Sequence, residues 1–159
     1  MNQIFRTYYS SPIGVLRITA YEDSINALEF CDTQPEFIET VNEPVIIKDC
    51  KSQLDEYFRG NRTEFNLKLL LSGTDFQNKV WKELLRVPYG KTASYKDIAM
   101  SCGNPKAVRA VGGANHNNRI AIIIPCHRIV GSNGKLTGYA GGLWRKEWLL
   151  KHEMKKTGV

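Results

Sequence analysis

Cys126, His127 and Arg128 occupy consecutive positions inside an otherwise apolar run, with Ile122-Ile123-Ile124-Pro125 before them and Ile129-Val130 after. A thiol, an imidazole and a guanidinium in such a run lose water contact unless partners replace it, so the trio either has a dedicated polar network or does chemistry. The chemistry on offer is nucleophilic. A thiolate is an effective nucleophile, and a neighbouring base is how proteins generate one at neutral pH. Two readings of Cys126 stay open at this level, because free Cys is among the most buried residue types and often serves as a small hydrophobe. Cys31, Cys50 and Cys102 are scattered, without the paired spacing of a metal site or a disulfide scaffold, and read as reduced packing thiols.

What must position these groups is a chain of 159 residues, 42% hydrophobic and 24% charged, long enough for one sizeable core or two small ones. The formal charge of +6 is unevenly spread. Residues 1–71 hold 7 Lys+Arg against 11 Asp+Glu, a net of −4, whereas residues 72–159 hold 15 against 5, a net of +10. A basic half joined to an acidic one points to a polyanion, and to nucleic acid before membrane, since no basic amphipathic helix with a broad apolar face is evident. The amino terminus lacks a charged region followed by an apolar signal core, and no apolar run approaches the roughly 20 residues of a membrane helix. The expectation is a soluble, cytoplasmic protein.

In the first half, Ile4–Tyr9, Val15–Ala20 and Ile25–Phe30 alternate as strands, separated by segments with turn chemistry. From Val45 the apolar period lengthens: Ile46, Ile47, Cys50, Leu54, Tyr57 and Phe58 form a helical stripe that Gly60 ends. Phe65–Leu69 alternates again, and a boundary is expected near Leu71-Ser72-Gly73.

In the second half, Thr74 and Gln77 have the spacing of a capping box and start a helix with Phe76, Val80, Trp81, Leu84 and Leu85 on its apolar face. Ser94 caps a shorter helix to about Cys102, with Tyr95 at its start. Asn104-Pro105 reads as a cap followed by proline at the first helical position, starting a third helix from Lys106 to about His116. That helix is nearly all small residues, with Lys106 and Arg109 supplying charge. Two helices joined by a short glycine-containing turn outline a helix-turn-helix. Its small face suits either a nucleic-acid groove or close helix packing, and the basic charge of this half favours the groove. Gly131-Ser132-Asn133-Gly134 suggests the tip of a wing hairpin, Gly138–Gly142 a loop that approaches a flat ligand, and Leu143–Met154 a final helix.

Several ordered motifs then coincide: Asn104-Pro105-Lys106-Ala107-Val108-Arg109-Ala110-Val111-Gly112-Gly113-Ala114, Pro125-Cys126-His127-Arg128, Gly138-Tyr139-Ala140-Gly141-Gly142-Leu143 and Lys146-Glu147-Trp148-Leu149-Leu150. Together they closely resemble the O6-alkylguanine-DNA alkyltransferases, also called methylated-DNA–protein-cysteine methyltransferases. The resemblance implies an α+β architecture: a small ribonuclease-H-like α+β domain over residues 1–71, then a mainly α, winged helix-turn-helix domain over residues 72–159. It makes Cys126 the alkyl acceptor, His127 its base through a bridging water, and Glu153 the carboxylate that orients His127. Asn118 holds the segment leading to the site, and Tyr95 donates a proton or hydrogen bond to the departing guanine. Arg109 fills the gap left by a flipped base while Lys106, Ala107, Val108, Ala110 and Gly112 face the groove. Tyr139, Ala140, Gly141 and Trp148 line the base pocket.

The implied function is direct reversal of DNA damage, with single-turnover, irreversible transfer of the alkyl group from O6-alkylguanine, and from O4-alkylthymine, to Cys126. The partner is double-stranded DNA carrying the lesion, the protein acts as a monomer, and no cofactor is required. Some relatives hold zinc in the first domain, but this chain has no cysteine before Cys31 and no histidine before His116, so no metal is expected. Arg119 stands where relatives carry proline, and Ala140 where some carry serine. Three other functions fit parts of the pattern. Alkyltransferase-like DNA binders replace the acceptor cysteine with tryptophan, a plain winged-helix regulator needs no Cys-His-Glu set, and a thiol hydrolase would turn over acyl substrates repeatedly.

Overall fold

Residues 3–32 and 42–156 are described by the computed structural model, and Met1 and Asn2, read above for a leader signal, lie outside them. The chain divides into two compact units, Met1–Leu71 and Ser72–Val159.

The first unit is a three-stranded antiparallel meander, β1 (Ile4–Ser11), β2 (Gly14–Tyr21) and β3 (Ser24–Cys31), covered by one helix, α1 (Val45–Phe58). Alternation along β2 sends Leu16 and Ile18 fully into the core, and Leu28 meets Ile18 across the β2–β3 pair. The stripe on α1 buries Ile47, Cys50, Leu54 and Tyr57, at helical spacing. Gly60 adopts φ +79° and closes the helix: its N–H donates to the Tyr57 carbonyl and that of Asn61 to the Glu56 carbonyl, a Schellman arrangement that glycine accommodates without strain.

The alternating stretch Phe65–Leu69 does not become a strand. It makes one parallel bridge, Leu69 with Ile25. The reason is a distant side chain: Gln53 accepts from the Asn66 N–H at 2.8 Å and donates to the Asn66 carbonyl at 3.0 Å, satisfying the groups a neighbouring strand would otherwise pair.

The second unit contains α2 (Asp75–Leu84), α3 (Tyr95–Ser101), α4 (Val108–His116) and α5 (Leu143–Lys156), with two short strands, β4 (Ala93–Ser94) and β5 (Ile129–Val130), paired in parallel. Thr74 and Gln77 form the expected capping box, and Ser94 forms another with Asp97. The Trp81 indole N–H donates to the Ala114 carbonyl at 2.8 Å, fastening α2 to α4 across 33 residues of chain.

Between α3 and α4, Gly103 at φ +79° and Asn104 donate back to Met100 and Ala99, so α3 also ends in a Schellman motif. That requirement moves the start of α4. Asn104 closes a turn, its carbonyl accepting from Ala107 and its side chain from Lys106, and the helix begins at Val108 rather than Lys106. Pro105 therefore lies in the turn and not at the first helical position.

The wing is smaller than expected. Gly131 and Lys135 close a turn through one 2.9 Å bond, but β5 pairs with β4, and among the described residues no strand follows that turn to complete a hairpin.

Candidate active site

Residues 120–130 do not run as an extended strand. The Ile123 N–H donates to the Ala121 carbonyl around Ile122, which sits at φ +69°, and the Cys126 N–H donates to the Ile124 carbonyl around Pro125 at φ −80°, ψ 61°. These are a γ-turn and an inverse γ-turn. The first is strained for a β-branched residue by about 1–3 kcal/mol, held because Ile122 is buried. Asn118 secures both ends of this loop: its Oδ1 accepts from Ile120 N–H at 3.0 Å and its Nδ2 donates to the Ile124 carbonyl at 2.9 Å. Asn118 thus holds the segment leading to Cys126.

Pro125 is the bend, and Cys126–Arg128 that follow form one 3₁₀ turn. With about three residues per turn, successive side chains fan out by roughly 120° instead of alternating by 180°. Cys126 is thereby turned away from its two neighbours, which share Glu153, and all three are buried.

His127 turns to α5, where its Nε2 lies 2.7 Å from Glu153 Oε2. An ionised Glu153 only accepts, so the network places hydrogen on Nε2 and leaves Nδ1 with its lone pair. That Nδ1 is buried and has no hydrogen-bond partner among the described residues. A base is thereby oriented by a carboxylate, with its free nitrogen available to receive a proton.

Arg128 reaches the same carboxylate through Nε at 2.8 Å and Nη2 at 3.1 Å, donates Nη1 to the Val87 carbonyl at 2.7 Å, and lies over the Tyr89 ring. The Gly90 N–H supplies a further, longer contact to Glu153. Burial pushes the Glu153 carboxyl up, but the hydrogen bonds from His127 and Arg128 and the Arg128 charge outweigh it and hold it well below the usual carboxylate range. Arg128 is structural, as a bidentate tie between three chain segments.

Cys126 faces Asn118, Tyr139 and Lys146. Burial raises its thiol pKa, opposed by the Asn118 amide, the Lys146 ammonium and the Tyr139 hydroxyl. Burial lowers that of His127 despite Glu153. The resting pair is therefore a neutral thiol and a neutral imidazole, unlike a preformed thiolate–imidazolium pair. The Tyr139 hydroxyl is itself buried, its pKa raised well above the phenol value by desolvation and by the charge Cys126 would carry.

Lys146 was not expected here. It is fully buried, donates to the Thr137 carbonyl at 3.0 Å, and burial lowers its pKa to about 8. Its position is periodic: residues 146, 149, 150 and 153 form the inward stripe of α5, so a lysine seven residues before a functional glutamate was the available signal. Asn115, also missed, donates to the Cys126 carbonyl at 3.5 Å from the last turn of α4. We expect Lys146→Met to stabilise the fold by roughly 1–3 kcal/mol, since it removes a desolvation cost of about 3 kcal/mol that a lowered lysine pKa implies. The same change should slow reaction at Cys126, by removing the cation beside the thiol. Thermal unfolding and single-turnover rates check both directions, and a destabilised variant would contradict the assignment of Lys146 as a costly buried charge.

The remaining expected residues fall into two groups. Tyr95, half-buried at the start of α3, shares a hydrogen bond between its hydroxyl and that of Thr137. Ala140 is exposed, the Gly141 carbonyl accepts from Arg145, and Trp148 stacks on His152 at 4.9 Å. On α4 and the turn before it, Lys106, Val108, Arg109 and Ala110 are exposed, and Ala107 and Gly112 half-buried, while Val111, Ala114 and Asn115 point inward. A Cβ added at Gly112 or Gly113 would meet nothing within 4 Å, so the small residues at these two positions are not used for close helix packing. The helix that exposes Arg109 touches the Cys126 backbone six residues later, about 9 Å further along its axis.

Comparison with known proteins agrees over both units. Residues 4–71 match the model of the 6-O-methylguanine DNA methyltransferase ribonuclease-like domain, and residues 75–155 that of the same family's DNA binding domain. The methylated-DNA–protein-cysteine methyltransferase of Methanosarcina barkeri is 48% identical over 146 residues, covering 90% of this chain and 92% of the relative. The enzyme of that name from Mycobacterium tuberculosis is 47% identical, over 90% and 88%. The crystal structure of Mycobacterium tuberculosis O6-methylguanine methyltransferase superposes with a TM-score of 0.86 at 43% identity, covering 97% of this chain and 94% of that one, and a structure of the Mycobacterium tuberculosis protein in complex with DNA gives 0.85 at 46%, over 94% and 92%. With both family models and relatives matched along nearly its whole length, the chain belongs to the methylated-DNA–protein-cysteine methyltransferase family.

Proposed function

We propose that this protein repairs DNA by taking the alkyl group from O6-alkylguanine, and from O4-alkylthymine, onto Cys126, once per molecule. The observation that carries the assignment of residues is the 2.7 Å His127–Glu153 bond, which leaves Nδ1 as the acceptor beside a buried cysteine. The thiol proton passes to Nδ1 through a bridging water, the sulfur forms a bond to the alkyl carbon, and the carbon–O6 bond breaks with its electron pair going to O6. The guanine then takes up one proton, so the balance is thiol plus O6-alkylguanine to thioether plus guanine. Tyr95 supplies a hydrogen bond to the leaving base.

An alkyl group on O6 lies inside the base stack, so the nucleotide must be extruded. The exposed small face of α4 suits a groove, with Arg109 taking the place of the extruded base and Lys106 meeting phosphate. Tyr139, Ala140, Gly141 and Trp148 are assigned to the pocket for the base. The protein is placed in the cytoplasm, acting as a monomer on duplex DNA. Four free cysteines suit a reducing compartment, and no helix among the described residues is long and apolar enough to cross a membrane.

The test is stoichiometric. Protein is mixed with excess duplex DNA carrying O6-methylguanine and digested for peptide mass analysis; one methyl per chain on the Cys126 peptide is expected. Repeated turnover, or methyl on Cys31, Cys50 or Cys102, overturns the assignment.

A further inference from the structure

We infer that Thr137 is a positioning residue for this transfer, holding the leaving-group donor Tyr95 with its hydroxyl and the buried cation Lys146 with its carbonyl. The inference rests on the reading of Cys126 and Tyr95 just given. Thr137 Oγ1 and the Tyr95 hydroxyl are hydrogen-bonded across 42 residues of chain, and Lys146 Nζ donates to the Thr137 carbonyl at 3.0 Å. Two residues further on, Tyr139 lies against the thiol.

The Thr137 hydroxyl meets Tyr95, while its methyl Cγ2 lies on the side of Gly131, 3.7 Å from where a Cβ there would stand. A β-branched side chain has few χ1 choices, which limits the directions its hydroxyl can take. When Thr137 donates into the phenolic oxygen, the Tyr95 proton is free to point at the leaving base. That bond also favours the phenol giving up its proton as charge develops on guanine. Thr137 touches neither the acceptor nor the base in this scheme and acts through Tyr95.

Three variants separate the roles: Thr137→Val keeps the methyl and loses the hydroxyl, Thr137→Ser does the reverse, and Thr137→Ala loses both. Each is followed in single-turnover transfer from O6-methylguanine duplex and, separately, in alkylation of Cys126 by iodoacetamide, which expels iodide and needs no proton donor. Thr137→Val should slow transfer from DNA about tenfold, less than the roughly 10²–10⁴-fold contribution of a positioned proton donor, because Tyr95 itself remains. Thr137→Ser should recover most of that loss, and the iodoacetamide rate and DNA affinity should match those of the parent protein. Should Thr137→Val fail to fold, Thr137→Ala carries the same comparison. Transfer at the parental rate without the hydroxyl, or equal loss in both reactions, overturns the inference. Absence of methyl on Cys126 in the parent protein overturns instead the functional reading beneath it.

Discussion

Cys126→Ser should abolish methyl transfer, on the order of 10⁶-fold, the scale seen when a nucleophile that works with a base is removed, while the protein folds and binds duplex DNA as before. A hydroxyl is far harder to ionise than a thiol, and the base available to it is weak: burial lowers the His127 pKa. The fold should survive because the site already presents polar groups to the sulfur, the Asn118 amide and the Tyr139 hydroxyl. DNA binding should survive because the charges assigned to it stand exposed on α4 and the turn before it. Among the described residues, Cys50 and Cys102 lack a side-chain hydrogen bond of the kind Asn118 offers Cys126 against the cost of burial. Burial pushes the Cys50 thiol up to about 12 and raises that of Cys102. Isotope-labelled methyl in O6-methylguanine duplex, followed into protein, measures the loss, and binding to the same duplex with thermal unfolding checks the rest. Labelled protein at parental levels from Cys126→Ser would remove Cys126 from the mechanism.

The environments that make this outcome specific were only partly visible in the order of residues. Alternation over β1 to β3, the stripe on α1 and the Thr74–Gln77 box were legible because each is a local pattern with a local cause. Failures came where a distant group decided. Gln53 took the backbone partners of Asn66, so an alternating segment never paired. Asn104 and Pro105 have the chemistry of a helix start, yet the Schellman ending of α3 claims Asn104, and the turn uses Pro105. The loop that leads to Cys126 turns at Ile122 with positive φ, a conformation no β-branched residue advertises. Glu153 as the partner of His127 was implied by family resemblance, and from its position alone it reads as a solvated charge. Lys146 was hidden by a sound rule, since lysines are almost never fully buried unless paired.

That buried lysine and the Arg128–Glu153 tie have opposite consequences for stability. Lys146 costs the fold something and sits beside the acceptor, whereas Glu153 compensates two buried groups at once. The site therefore combines one tolerated cost with one charge that serves two partners, so its loss should be felt in both folding and transfer.

Glu153→Gln is expected to destabilise the carboxy-terminal unit by about 3–5 kcal/mol, the cost of leaving a buried charge uncompensated, and to slow transfer by about 10³–10⁴-fold, as when a carboxylate that sets a histidine tautomer is made an amide. Arg128 would keep its bond to the Val87 carbonyl but lose its counter-charge. An amide N–H turned toward His127 would also favour hydrogen on Nδ1, the atom that must receive the thiol proton.

Acidity gives a second signature. Both Glu153 and His127 have folded pKa values below their unfolded ones, so in each case the unfolded chain takes up the proton first and stability is lost as pH is lowered. For the parent protein the His127 contribution fades from about pH 6.5 downward and that of Glu153 from about pH 4.3 downward. Glu153→Gln should keep the first decline and flatten the second. Urea unfolding at pH 7.5, 5.5 and 4 resolves them. If the variant does not fold, adding Arg128→Met removes the stranded cation, and the double variant should fold without regaining transfer. Parental stability at pH 7.5 in Glu153→Gln alone would show that Arg128 does not depend on this carboxylate, and rapid transfer in the double variant would show that His127 does not.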